Sequence, residues 1–137
     1  MKIAHTYVNP TSPAGAQPGQ TSSGNWNDVH QAGPSPSNYS ANGTVPTTAD
    51  YLRCTGGGGG GITLLLTPGS FQAQTPNGEV TIYQEYTAMK IDNGTGPIIF
   101  EDLNGATING QPAYQLSNQW QWVKFMYNGT NWDAIGN

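Results

Sequence analysis

One segment decides the fold class: Gln119–Tyr127, which reads QWQWVKFMY. Bulky side chains occupy alternate positions in both registers, with Trp120, Trp122, Lys124 and Met126 in one and Val123, Phe125 and Tyr127 in the other. Successive side chains of a β-strand point to opposite faces, so both faces of this predicted strand need an apolar partner. We expect one face to pack in the domain core and the other to contact a neighbouring subunit.

The residues after this segment predict a tight antiparallel pair. Asn128-Gly129-Thr130 is a turn signal, and Trp132–Ile135 follows it as the next predicted strand. This pairing places Trp132 opposite the aromatic residues of the long strand. We therefore predict one set of core and trimer-interface aromatics, namely Trp120, Trp122, Phe125, Tyr127 and Trp132.

From Thr47 onwards the chain consists of short apolar runs separated by turn residues, which is typical of an all-β domain. Dipeptides such as Asn104-Gly105 and Asn109-Gly110 mark the turns, and no Gly- and Pro-free window has helical apolar spacing. This density of strands favours a jelly-roll-like β-sandwich over residues 47–137. The predicted strands are Asp50–Thr55, Ile62–Thr67, Val80–Glu85, Ala88–Ile91, Ile98–Glu101, Ala106–Ile108, Tyr114–Leu116, Gln119–Tyr127 and Trp132–Ile135.

The preceding residues, 1–46, predict an extended arm. They are rich in Pro, Gly, Ser, Thr, Asn and Gln and show no apolar periodicity, so they bury too little surface to fold alone. We expect this arm to dock on partner proteins, with Trp26 as its anchor and Val29 and Tyr39 as secondary contacts. The alternative is that Trp26 folds back onto its own domain.

The composition excludes several classes of partner. Charged residues make up 9% of the chain against roughly 25% in ordinary soluble domains. The net charge is −4 and no basic cluster is present, which argues against nucleic acid as a partner. No signal-peptide core and no apolar run long enough for a membrane span is seen, so we expect neither secretion by a signal peptide nor a membrane.

No residue set predicts catalysis or a cofactor. The single cysteine, Cys54, lies in a predicted strand, and the two histidines, His5 and His30, both lie in the arm. The run Gly56–Gly61 lacks the Gly-Lys-Ser/Thr ending of a phosphate-binding loop, so we expect a hairpin tip or a close approach of subunit backbones. Carboxylates for a glycosidase pair could in principle come from Glu79, Glu85, Asp92, Glu101, Asp102 or Asp133. The sequence places no two of them in one cleft, and adjacent Glu101 and Asp102 would point to opposite faces.

Several of these runs together resemble a known group of proteins. Asp50–Thr55, the glycine run, Ile62–Pro68 and Gly78–Tyr83 are similar to an arrangement found in tailed-bacteriophage fibre and head-decoration proteins. Gly105–Gly110, Tyr114–Leu116 and Trp122–Trp132 continue the resemblance, which covers about Asp50 to Asn137; the glycine run departs from the usual short polar turn. The resemblance implies a trimeric β-structure on the virion, either a cement protein of the capsid or a module of a fibre.

Two hypotheses follow for the function. The first is a non-enzymatic, cofactor-free virion protein that decorates and stabilises the capsid as a homotrimer, with the major capsid protein or other virion proteins as partners. The alternative is a short tail fibre or adhesin module on the virion surface that binds host glycans. Tyr114, Trp120 and Trp132 are the candidate glycan contacts, because aromatic faces beside Asn and Gln side chains suit sugar binding.

Overall fold

The computed structural model describes residues 36–137, which form an all-β domain. Within this range there is no helix, and so none that is long and apolar enough to cross a membrane. The strands are β1 (Pro36–Tyr39), β2 (Gly43–Val45), β3 (Tyr51–Cys54), β4 (Ile62–Leu66), β5 (Ser70–Thr75), β6 (Gly78–Tyr83), β7 (Glu85–Lys90), β8 (Ile98–Asp102), β9 (Tyr114–Leu116), β10 (Trp122–Tyr127) and β11 (Trp132–Gly136).

Two sheets carry the core, and a separate hairpin lies outside both of them. The five-stranded sheet has the order β1-β3-β7-β10-β11, the four-stranded sheet has the order β2-β4-β8-β9, and β5 pairs only with β6. The all-β, multi-sheet prediction is therefore confirmed at the level of the class, and the arrangement is compatible with a β-sandwich.

The first strands of the domain alternate between the two sheets. β1, β3 and β7 form parallel ladders in one sheet, while β2, β4 and β8 form parallel ladders in the other. Each pair of consecutive strands, β1/β2, β3/β4 and β7/β8, is thus an arch with one strand in each sheet, and the three arches stack in parallel. β9, β10 and β11 complete the sheets through antiparallel ladders. A jelly roll pairs its strands antiparallel, so the parallel ladders correct that part of the sequence prediction.

Strict alternation of buried and outward side chains explains why these segments form strands. In β4 and β8 every second residue is buried, so one face of each strand meets the opposite sheet. The core contains Leu52, Leu64, Leu66, Ile98, Phe100, Leu116, Val123, Phe125 and Trp132, all fully or almost fully buried. The rings of Phe100 and Phe125 lie 4.8 Å apart between centroids, which ties β8 of one sheet to β10 of the other.

The glycine run forms the corner of the second arch, between β3 and β4. It packs against the corner of the third arch, where the backbone N–H of Gly96 donates to the carbonyl oxygen of Gly57 at 2.8 Å. A Cβ atom at Gly56 would overlap the carbonyl oxygen of Gly96, and one at Gly61 would overlap Pro97. The glycine run is therefore not a hairpin tip, since β3 and β4 lie in different sheets, and its backbone closely approaches the next corner of the same chain.

Several boundaries differ from the sequence prediction. The residues of β1 and β2 were assigned to the arm, yet they pair into the two sheets, so the sandwich begins by Pro36 and not at Thr47. The predicted strand Val80–Glu85 spans the end of β6 and the start of β7, which are separated by Gln84 alone. Within the predicted strand Ala106–Ile108, only Ile108 makes isolated bridges.

Candidate functional site

The hairpin β5–β6 exposes an apolar face. The register pairs Phe71 with Ile82 and Ala73 with Val80, so these four side chains share one face. Phe71 is 55% exposed, Val80 44% and Ile82 40%. Since a two-stranded hairpin has little core of its own, this exposed apolar face is a candidate contact surface.

The opposite face of the hairpin is polar. Gln72 and Thr81 hydrogen-bond each other across the strands at 3.2 Å, and Glu79 is the one charged residue of the hairpin. The hairpin joins the sandwich through a narrow neck, where the N–H of Gln84 donates to the carbonyl oxygen of Gly69 at 2.9 Å. The hairpin thus has one uncharged apolar face and one polar face that carries Glu79.

The outer face of β10 is the surface that the sequence predicted to contact a neighbouring subunit. Trp122, Lys124 and Met126 point away from the core and are half-buried. Nζ of Lys124 lies 3.4 Å from the carboxylate of Glu85 on β7. Trp122 is paired with Met89, which also lies on β7. This face is partly covered within the chain, so it presents less free apolar surface than the hairpin does.

Two of the predicted interface aromatics belong to the domain's own core. Phe125 is fully buried, and Trp132 is 1% exposed. The indole N–H of Trp132 donates to Oδ1 of buried Asp102 at 2.7 Å, while Oδ2 accepts the backbone N–H groups of Asn104 and Ala106. Trp132 is therefore unavailable to a glycan, which corrects its assignment as a possible sugar contact.

The remaining predicted site residues are spread over the domain. Tyr39, assigned to the docking arm, lies in β1 and packs half-buried against the core cluster. Tyr127 is half-buried with its ring 5.1 Å from that of Trp132, and Tyr114 is half-buried with its ring edge against Phe125. Trp26 and Val29 lie outside the described residues.

Trp120 differs from the other aromatics because it is 57% exposed. It lies in the turn between β9 and β10, not in the strand where the sequence placed it. A shallow depression of about 300 Å³ beside it is lined by Asn118, Gln119, Gln121 and Asn137. Of the three candidate glycan contacts, Trp120 alone offers an open aromatic face.

Two acidic side chains, Asp92 and Asp102, make contacts that stabilise the fold. Burial opposes ionisation of Asp92, but hydrogen bonds from Lys90 and from the N–H groups of Gly56, Gly57 and Gly94 outweigh it and lower the pKa of Asp92 to about 2. Lys90 itself is fully buried, with Nζ 2.6 Å from Oδ1 of Asp92. This ion pair joins β7 to the stacked corners. Asp92 and Asp102 are thus engaged in structural contacts.

Groups for nucleophilic or metal chemistry are not assembled in the described part of the chain. Burial raises the pKa of the Cys54 thiol to about 12, which keeps it protonated and unreactive at neutral pH. Between residues 36 and 137, no three His, Cys, Asp or Glu side chains are grouped to hold a metal ion.

Comparison with known proteins gave no match: no family model, no curated protein and no solved structure matches the chain. The candidate site therefore depends on the geometry of the chain itself. Sequence reasoning missed the hairpin as a surface, although Phe71 and Ala73 and then Val80 and Ile82 show the period of two that marks a one-sided apolar hairpin.

Proposed function

We propose that this protein is a non-enzymatic structural component of a virus particle, a homotrimer that decorates and stabilises a tailed-bacteriophage capsid. The uncovered apolar face of the hairpin β5–β6 is the observation that carries this proposal. The resemblance of residues 50–137 to phage fibre and head-decoration proteins supports a location on the virion and a trimeric state.

Other copies of the same chain are suitable partners for this face because the face is uncharged while the chain as a whole is negative. The chain has a net charge of −4, which disfavours close contact between copies at most of their surface. The face formed by Phe71, Ala73, Val80 and Ile82 carries no charge, and Glu79 lies on the other side of the hairpin. Contact between these faces buries apolar area without bringing like charges together.

The oligomeric state tests the first half of the proposal. In native mass spectrometry and sedimentation equilibrium, the full chain should have three times its monomer mass of 14.5 kDa. The double variant Phe71→Ser/Ile82→Ser should dissociate, while Gln74→Ser on the polar face of the same hairpin should remain trimeric. Trp122→Ser reports separately on the outer face of β10. A monomeric wild-type protein in dilute solution would contradict the proposal.

Binding to the particle tests the second half. A decoration protein binds the assembled shell and not free subunits, so it stabilises the shell by mass action. Adding the purified protein to bare, expanded capsids of its virus should raise their disruption temperature, followed by light scattering. A variant lacking residues 1–35 tests the docking role of the arm, since it should remain trimeric and lose capsid binding. No binding and no rise with the full chain would eliminate the capsid role.

A further inference from the structure

Trp120 has a backbone conformation that its side chain disfavours. Its φ is 68°, and among the described residues the only other positive-φ position without glycine is Asn109. Asn tolerates the left-handed region, whereas a bulky aromatic residue there costs on the order of 1–3 kcal/mol. Trp120 is nonetheless 57% exposed, so more than half of its surface is uncovered in the domain.

Hydrogen bonds fix the turn in this conformation. The N–H of Trp120 donates to the carbonyl oxygen of Lys90 at 2.7 Å, and the N–H of Lys90 donates to the carbonyl oxygen of Gln121 at 3.0 Å. Two residues of the turn thus face one residue of β7, as in a β-bulge. The side chain of Gln121 closes the turn by accepting the N–H groups of Ser117 at 2.8 Å and Asn118 at 3.1 Å. The exposed indole is therefore held on a rigid support.

The surroundings of the indole are polar and lack charged side chains. The depression beside it is lined by Trp120 and four carboxamide residues, Asn118, Gln119, Gln121 and Asn137. Oδ1 of Asn137 accepts the N–H of Trp122 at 2.8 Å, which fixes its side chain and leaves its NH₂ group to donate elsewhere. Among residues 36–137, the side-chain amide of Asn118 makes no hydrogen bond to the protein. The rim thus offers uncharged donors and acceptors beside an aromatic face.

This combination fits one class of ligand. The C–H groups of a pyranose ring stack on an aromatic face, and carboxamides donate to and accept from its hydroxyl groups. The absence of Lys and Arg in the lining disfavours phosphate and acidic sugars, which need a cationic partner. We propose that the turn Ser117–Gln121 binds a neutral saccharide, with Trp120 as the stacking platform and Asn118 and Asn137 as hydrogen-bonding residues. This site goes beyond the structural role and does not depend on it.

A substitution at the strained position separates binding from folding. Trp120→Asn removes the aromatic face and keeps a residue that tolerates positive φ, so its unfolding free energy should equal or exceed that of the wild type. The full chain is screened on an array of neutral and sialylated oligosaccharides, and the retained neutral oligosaccharide is then titrated by calorimetry. We expect Trp120→Asn to lose at least about tenfold in affinity, Asn118→Ala to lose less, and Gln74→Ser, on the polar face of the hairpin β5–β6, to bind as the wild type.

Three results would overturn the inference. One is that the array retains no neutral oligosaccharide, or only sialylated ones. Another is that Trp120→Asn binds the retained oligosaccharide as tightly as the wild type does. The third is that Trp120→Asn lowers the oligomeric mass, which would make Trp120 a contact between copies. The first two results bear on neither the oligomeric state nor capsid binding, so they separate a failure of the site from a failure of the structural role.

Discussion

Lys90 and Asp92 illustrate how single residues hold the arches together. A fully buried ammonium group is costly unless every donor finds a partner. Nζ of Lys90 donates to the Asp92 carboxylate and to the carbonyl oxygens of Asp92 and Gly94. The same carboxylate accepts N–H groups from the corner of the neighbouring arch, at Gly56 and Gly57. One ion pair thus fixes two corners at once.

The pKa of Asp92 gives a pH-dependent prediction. Because this pKa falls from its ordinary value of 3.8 to about 2 on folding, the stability that Asp92 contributes is complete above about pH 5 and is lost as the pH falls towards 2. One pKa unit corresponds to about 1.4 kcal/mol, so the contribution is about 2 kcal/mol. Urea unfolding should show Asp92→Asn as less stable than the wild type at pH 7, with the gap narrowing by about that amount at pH 2. A gap that stays constant over this range would contradict the ion pair.

Gly56 and Gly58 provide a matched pair for the stacked corners. A Cβ atom at Gly56 would overlap the carbonyl oxygen of Gly96, whereas a Cβ atom at Gly58 would meet nothing within 4 Å. We expect Gly56→Ala to lower the free energy of unfolding by about 3 kcal/mol, since the two backbones must separate. Gly58→Ala should change it by less than about 0.5 kcal/mol. Equal effects in chemical denaturation would mean that the two corners are not in contact.

At the scale of the element, the hairpin β5–β6 should be dispensable for folding. It pairs with neither sheet, and the hydrogen bond between Gly69 and Gln84 closes its neck. Replacing residues 70–83 by a short glycine linker removes one packed pair, Tyr83 on Tyr127, worth about 1 kcal/mol. The shortened protein should retain its β-sheet circular dichroism and unfold within a few degrees of the dissociated variant Phe71→Ser/Ile82→Ser, which has the same oligomeric state. Loss of cooperative unfolding would show that the hairpin is part of the core.

Strand positions could be predicted where the apolar alternation is strong. Tyr114–Leu116 matches β9, and Ile98–Glu101 falls one residue short of β8. β1 and β2 could not be predicted in this way, because they contribute few buried side chains and are held by backbone ladders to β3 and β4. The Asn109-Gly110 turn was recognisable from the sequence, since both residues take the positive φ that this pair favours.

The residues of the candidate site could likewise be predicted only in part. Trp120 and Trp132 are the same residue type on either side of one strand, and the sequence assigned both to the same surface. Position decides their roles: Trp132 lies on the inward face of β11 and finds Asp102, while Trp120 lies in the turn before β10 begins at Trp122. The start of that strand could not be predicted from the sequence, because the alternation of aromatic residues continues through the turn.

For the molecule as a whole, the sequence predicted the class and not the path of the chain. Alternation with a period of two is the same in parallel and antiparallel strands, so it carries no information on which strands pair. Turn signals such as Asp92-Asn93-Gly94 are consistent with a hairpin, yet this one belongs to a corner that takes the chain from one sheet to the other. For this reason the sequence predicted a jelly roll, whereas the structure has arches stacked through parallel ladders.

The stacked arches have a consequence for how the length of such a protein can change. The middle arch, β3/β4, pairs only with the arch before it and the arch after it, so its pairing sets no limit on the number of such layers. Duplicating one strand–corner–strand unit, such as residues 51–66, would add a layer whose upper and lower edges match those already present. Duplication of a short gene segment is thus a direct route from this small domain to a longer rod.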